Sequence, residues 1–110
     1  MQDVEEFLAG LRAGYKASVR ARLATMAALL MALRGRPTDT ASLRELRRHV
    51  HNLAGSGGTY GFTALTAAAQ AGEIRLEALL GAGTPLGAAH FVELTALLAQ
   101  LQTALDAPRG

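Results

Sequence analysis

Ser42-Leu43-Arg44-Glu45-Leu46-Arg47-Arg48-His49-Val50-His51-Asn52-Leu53-Ala54-Gly55-Ser56 is the stretch around which the chain is organised. Leu43, Leu46, Val50 and Leu53 recur at three- and four-residue steps, which makes one apolar face of a helix. At about 100° per residue, His51 lies roughly 120° from the centre of that face and so points at water from mid-helix. Arg44, Arg47, Arg48 and Gly55 fall near it, while His49 sits on the other flank, closer to the core edge. Glycine inside a helix costs about 1 kcal/mol relative to alanine, and Ala54 shows that alanine is used next door. What Gly55 offers is space. Residues four apart are neighbours on a helix surface, so without a Cβ at 55 the ring of His51 is open to a bulky group or an approaching partner.

Towards the N-terminus, Thr38-Asp39-Thr40-Ala41-Ser42 is a short polar link with several N-cap residues for the His51 helix. Before it, Tyr15, Val19, Leu23, Met26, Leu30 and Leu33 predict a long amphipathic helix that Gly35-Arg36-Pro37 stops. Phe7, Leu8 and Leu11 carry helical spacing further upstream, but Gly10 and Gly14 weaken it. The expectation there is a short N-terminal helix over residues 1–14, or a bend near Gly14.

Towards the C-terminus, Gly55-Ser56-Gly57-Gly58-Thr59-Tyr60-Gly61 is glycine-rich. A Walker A loop would need Gly-Lys-Ser/Thr after its spacer, and Gly61 is followed by Phe62-Thr63. The glycines therefore predict a close helix crossing and a tight turn. A helix from Phe62 to Leu80 follows, with Leu65, Ala69, Gly72, Leu76 and Leu79 on its packing side, the small residues suited to close approach to the His51 helix. Gly81-Ala82-Gly83-Thr84-Pro85 ends it. A last helix, from about Leu86 to Leu105, presents Phe91, Leu94, Leu98, Leu101 and Leu105, and residues 107–110 form a frayed tail. Short links favour antiparallel neighbours. The expected fold is all-α: one domain over residues 1–110, an up-down-up-down four-helix bundle over 15–106 with a short extra N-terminal helix.

Composition narrows the function. A chain of 110 residues buries one modest core. It has no cysteine, which excludes a disulfide framework and thiolate metal sites. No apolar run approaches the roughly 18 residues of a membrane span, and the acidic start Met1-Gln2-Asp3-Val4-Glu5-Glu6 is no signal peptide. A cytoplasmic protein without membrane contact is expected. Net charge is only +2, basic residues are spread over several segments, and aromatics make up 5% of the chain. Nucleic-acid binders concentrate basic charge and interleave stacking rings, so no nucleic-acid partner is expected.

His51-Asn52-Leu53-Ala54-Gly55-Ser56 resembles the phosphoacceptor motif of histidine-containing phosphotransfer (HPt) domains, His-x-Leu-Lys-Gly-Ser. Gly61, Leu65, Ala69 and Glu73 continue the family's rhythm of Gly, Leu, a small or apolar residue and Glu at four-residue steps. One position departs: the family's lysine, three residues after the histidine, is Ala54. The resemblance implies the same bundle architecture. It also implies a phosphorelay carrier of two-component signal transduction in which His51 accepts a phosphoryl group from a receiver-domain aspartate and passes it to another. The implied partners are response regulator receiver domains and a hybrid histidine kinase. Mg²⁺ and its acidic ligands are expected on the receiver, with no cofactor on this chain and no catalysis of its own.

The residues themselves suit that chemistry. Histidine ordinarily titrates around 6.5, so a neutral ring nitrogen is a nucleophile near pH 7. Phosphoryl transfer needs an in-line approach and stabilisation of charge on the oxygens. Gly55 admits the partner, and Arg44, Arg47 and Arg48 are the candidates for the phosphoryl oxygens and for compensating Ala54. His49 lacks the leucine at +2 and the glycine at +4, and His90 has no comparable motif. The alternative is a docking module that binds a receiver or kinase domain without exchanging phosphate. A metal or hydrolytic enzyme would need ligand spacing or a carboxylate pair that the chain lacks. The apolar faces are expected to be consumed inside the bundle, leaving a monomer.

Overall fold

The computed structural model describes residues 2–83 and 85–108. Met1, Thr84, Arg109 and Gly110, which the sequence places at the two chain ends and in the last link, lie outside the described residues. The chain forms α1 (Gln2–Gly35), α2 (Thr40–Ser56), a 3₁₀ turn (Gly58–Tyr60), α3 (Thr63–Ala82) and α4 (Ala88–Asp106). Each helix packs on its two neighbours, with α2 against α3 the most extensive contact and α1 closing the ring on α4. This is the expected all-α four-helix bundle.

The core follows the periodicity closely. Val19, Leu23, Met26, Leu30 and Leu33 of α1 are buried, as are Leu43, Leu46, Val50 and Leu53 of α2 and Leu65, Ala69, Leu76 and Leu79 of α3. On α4 the buried set is Leu94, Leu97, Leu101 and Leu105, with Leu98 and Phe91 only partly covered. Leu97 and Leu98 both satisfy a three-or-four-residue step from Leu94, so spacing does not choose between them. The choice is made by Gly72 of α3: a Cβ there would lie 2.6 Å from Leu97 Cδ1. Gly72 therefore serves the contact with α4, and the expectation that it brings α3 close to α2 is corrected.

The separate N-terminal helix is also corrected. Residues 2–35 form one uninterrupted helix. Two glycines weaken a helix by about 1 kcal/mol each but do not break one flanked by good helix formers such as Leu11, Arg12 and Ala13. At 1.5 Å per residue a helix of this length spans about 51 Å, close to the molecule's long dimension of 54 Å. The other three helices have 17 to 20 residues, so α1 overhangs them, and residues 3–11 are all exposed.

Tyr15 is where α1 meets the end of the bundle. Its ring stacks on Tyr60 with centroids 4.4 Å apart and lies 5.4 Å from Phe62. Beside it, Asp106 at the end of α4 takes Lys16 at 3.1 Å and, one turn on from Lys16, Arg20 at 2.5 Å. Hydrogen bonds from the Gln102 amide first, then from Arg20 and Lys16, hold the Asp106 carboxyl down at about 2. The opposite end is closed by the link from Leu86 N–H to Pro37 C=O, 3.3 Å.

Candidate functional site

The start of α2 is set by Asp39, whose carboxylate accepts from Ser42 N–H at 3.1 Å and from the Ser42 hydroxyl at 2.7 Å. These two bonds, side chain before backbone, lower the Asp39 pKa. The bond from Ser42 N–H satisfies a donor that the first turn of a helix leaves without a partner. With that start, His51 comes out on the solvent side of α2, its side chain 69% exposed.

The His51 ring is not loose. Its Nδ1 lies 2.5 Å from Oε2 of Glu73 on α3, a carboxylate only 18% exposed. An ionised carboxylate can only accept, so Nδ1 carries the hydrogen and donates it. The lone pair is then on Nε2, the nitrogen turned away from α3. The packing of α2 against α3 thereby assigns the tautomer and aims the nucleophilic atom outward.

Arg47, one turn before His51, joins the same cluster. Its Nη1 is 3.8 Å from the Glu73 oxygen that His51 uses and 3.4 Å from Glu77 Oε1. Two carboxylates, a guanidinium and an imidazole thus line the α2–α3 seam. The other two arginines are elsewhere. Arg48 pairs with Glu45 at 2.6 Å along its own helix, and Arg44 is exposed and makes no hydrogen bond or ion pair among the described residues. Of the three arginines read from the sequence, only Arg47 is brought to His51's partner. Glu73 was legible as part of the motif's rhythm, but its place beside the ring depends on α3 packing on α2.

Gly55 is open: nothing lies within 4 Å of where its Cβ would be. Gly57 is the opposite case. A Cβ there would meet Thr66 Oγ1 at 2.5 Å and the carbonyls of Leu53 and Phe62 at 3.2 Å. Gly57 N–H donates to Leu53 C=O, and Phe62 N–H donates to Gly57 C=O at 2.8 Å. The tight turn expected from the glycine run is thus built on Gly57, with Gly61 at φ +86°, the left-handed region that favours glycine. Ser56 donates to Asn52 C=O at 2.9 Å, leaving its oxygen to accept from the Tyr15 hydroxyl at 2.7 Å. Ser56 therefore ties the motif's end to α1. Ala54 is half-buried and packs against the core.

The other histidines have structural partners. Arg22 Nη1 donates to His49 Nδ1 at 2.7 Å. Burial first, then the charges of Arg22 and Arg48, holds the His49 pKa below the ordinary value, against an opposing pull from Glu45. His90 Nδ1 accepts from Gly87 N–H at 2.9 Å and so holds the first turn of α4. Among the described residues no three His, Cys, Asp or Glu side chains are gathered as metal ligands, and no helix is long and apolar enough to cross a membrane.

The family model described as Hpt domain matches residues 10–107 of the chain. No curated protein and no solved structure matches it.

Proposed function

The chain belongs to the Hpt domain family, and from that membership, which implies histidine phosphotransfer in two-component signalling, we propose that His51 is the phosphoacceptor of a phosphorelay. His51 Nε2 attacks the phosphorus of an aspartyl phosphate on a receiver domain, and the bond from phosphorus to the aspartate oxygen breaks. The aspartate leaves as a carboxylate. The Nδ1 hydrogen stays on the ring, so no base is needed, and the positive charge that the ring acquires faces the Glu73 carboxylate. Attack by the aspartate of a second receiver reverses these changes. The observation that carries this reading is the His51–Glu73 contact, which leaves Nε2 as the free nucleophile.

In this reading Arg47 takes over from the family's lysine. It sits one turn ahead of His51, where Ala54 lies nearly one turn behind, and its guanidinium is already beside the ring's carboxylate partner. The partners are receiver domains of response regulators and a hybrid histidine kinase. Mg²⁺ is held by the receiver, and the chain acts as a carrier rather than a catalyst. Ala54 also favours a second reading, a module that docks on a receiver or kinase domain without exchanging phosphate.

One experiment separates the two. The domain is incubated with receivers pre-charged by a small phosphodonor and Mg²⁺, beside a His51→Gln control. Acid-labile, base-stable phosphate on the wild type alone is expected. Label retained by His51→Gln overturns the assignment, and binding to a charged receiver without label selects the docking module.

A further inference from the structure

The overhanging turns of α1 carry an apolar stripe that the bundle leaves bare. Val4, Phe7, Leu8 and Leu11 follow the i, i+3, i+4, i+7 steps of one helical face, and they are 61%, 66%, 40% and 43% exposed. The remaining exposed large apolar residues, Met31, Ile74 and Val92, are scattered over three helices, which is ordinary for a surface. Val4, Phe7 and Leu8 lie ahead of the residues matched to the family, so the family fold does not call for them. The expectation of a monomer rested on every apolar face being consumed inside the bundle, and this one is not.

Charge along the same turns indicates what fits the stripe. Glu5 and Arg12 are seven residues apart, close to two full turns, and so share one flank of the stripe. Neither makes an ion pair among the described residues. A patch with an acid near one end of a flank and a base near the other is self-complementary about a twofold axis. That is the requirement of a contact between identical surfaces.

We propose that the stripe pairs with the same stripe of a second copy of this chain, antiparallel. Setting Phe7 against Leu8 of the second copy sets Val4 against its Leu11. Equivalent flanks adjoin in such a pair, so Glu5 of each copy comes beside Arg12 of the other, twice over. A parallel pair would instead gather Asp3, Glu5 and Glu6 of both copies and leave each Arg12 unmatched, so charge selects the antiparallel arrangement. The overlap covers about 12 residues, or about 18 Å of helix. A contact of that length is small, and the pair is reversible. The two bundles lie at opposite ends of the overlap, and His51, which faces the α2–α3 seam, is outside it. The paired molecule is a carrier with two phosphoacceptors on one particle, able to engage two receivers at once.

Sedimentation velocity on the full chain over a wide concentration range tests this. The mass is expected to rise with concentration from 11.5 kDa to twice that value. Leu8→Glu should hold it at one chain. Glu5→Arg alone and Arg12→Glu alone should each weaken pairing about tenfold, and the two together should restore it. The altered side chains lie on the overhang or at its base, outside the core, so unchanged helical circular dichroism serves as the folding control. A wild type that stays at one chain at millimolar concentration overturns the proposal. So does association that survives Leu8→Glu, or that the combined charge exchange does not restore.

Discussion

His51 Nδ1 and Glu73 Oε2 lie 2.5 Å apart across the α2–α3 contact, joining residues 22 apart in sequence. The carboxylate is mostly covered while the imidazole is mostly open, so α3 supplies a fixed acceptor to a ring that otherwise rotates in water. Glu73 is thus a positioning residue: it determines which nitrogen holds the hydrogen and where the other one points. Glu73→Ala is expected to leave the bundle folded and to slow phosphoryl uptake by about ten- to a hundredfold, the range found when carboxylate partners of metal-bound histidines are removed. Nitrogen NMR of the His51 ring should show the Nδ1–H tautomer in the wild type and a mixture in the variant. A purely structural role would leave the tautomer unchanged.

Arg47 and Arg48 provide a matched comparison. Arg47 shares Glu73 with His51, whereas Arg48 is occupied by Glu45 on its own helix. If Arg47 serves the phosphoryl group as proposed, Arg47→Gln should slow transfer several-fold and shorten the lifetime of phosphohistidine, because its charge-assisted contact to the phosphoryl oxygens would be lost. Arg48→Gln removes an exposed pair and should change the rate by less than about twofold. Single-turnover phosphotransfer from one charged receiver measures both.

Gly55 and Gly57 are two residues apart and should respond in opposite ways. Gly55→Ala fills open space in a helix and should be stabilising by up to about 1 kcal/mol, while Gly55→Gln keeps the fold and obstructs the approach to His51. Gly57→Ala puts a methyl against Thr66 Oγ1 and two backbone carbonyls, and should cost about 1–3 kcal/mol. Urea unfolding read beside phosphotransfer separates an effect on access from an effect on stability.

His49 predicts a pH dependence. Its folded pKa is depressed, chiefly by burial and by Arg22, so the unfolded chain binds more protons as pH falls below the ordinary histidine value of about 6.5. This contribution to stability is fully present above that value and is lost progressively as pH falls through the lower folded pKa. Thermal midpoints of the wild type should therefore fall on acidification from neutral pH towards 5. His49→Gln should flatten that slope while leaving phosphorylation of His51 in place.

Much of this was legible in the chain itself. Leucine and valine steps of three and four named the buried face of α2 and the buried residues of α1 and α3, because burial follows helical period when one side of a helix meets a core. The same period placed His51 in solvent, and the motif singled it out from His49 and His90. The tertiary structure decided matters that period cannot. Glycine penalties at Gly10 and Gly14 are local costs, and whether they end a helix depends on the residues around them, so a continuous α1 was not readable from them. Leu97 and Leu98 fit the same spacing, and only the vacancy at Gly72 chose between them. Helical period puts Arg44, Arg47 and Arg48 all on the His51 side of α2, but α3 packs along one flank of that side and, of the three, brings Glu73 and Glu77 to Arg47 alone. Sequence periodicity determines which face of a helix turns inward, and the packing of one helix against another determines which side chains meet across the seam.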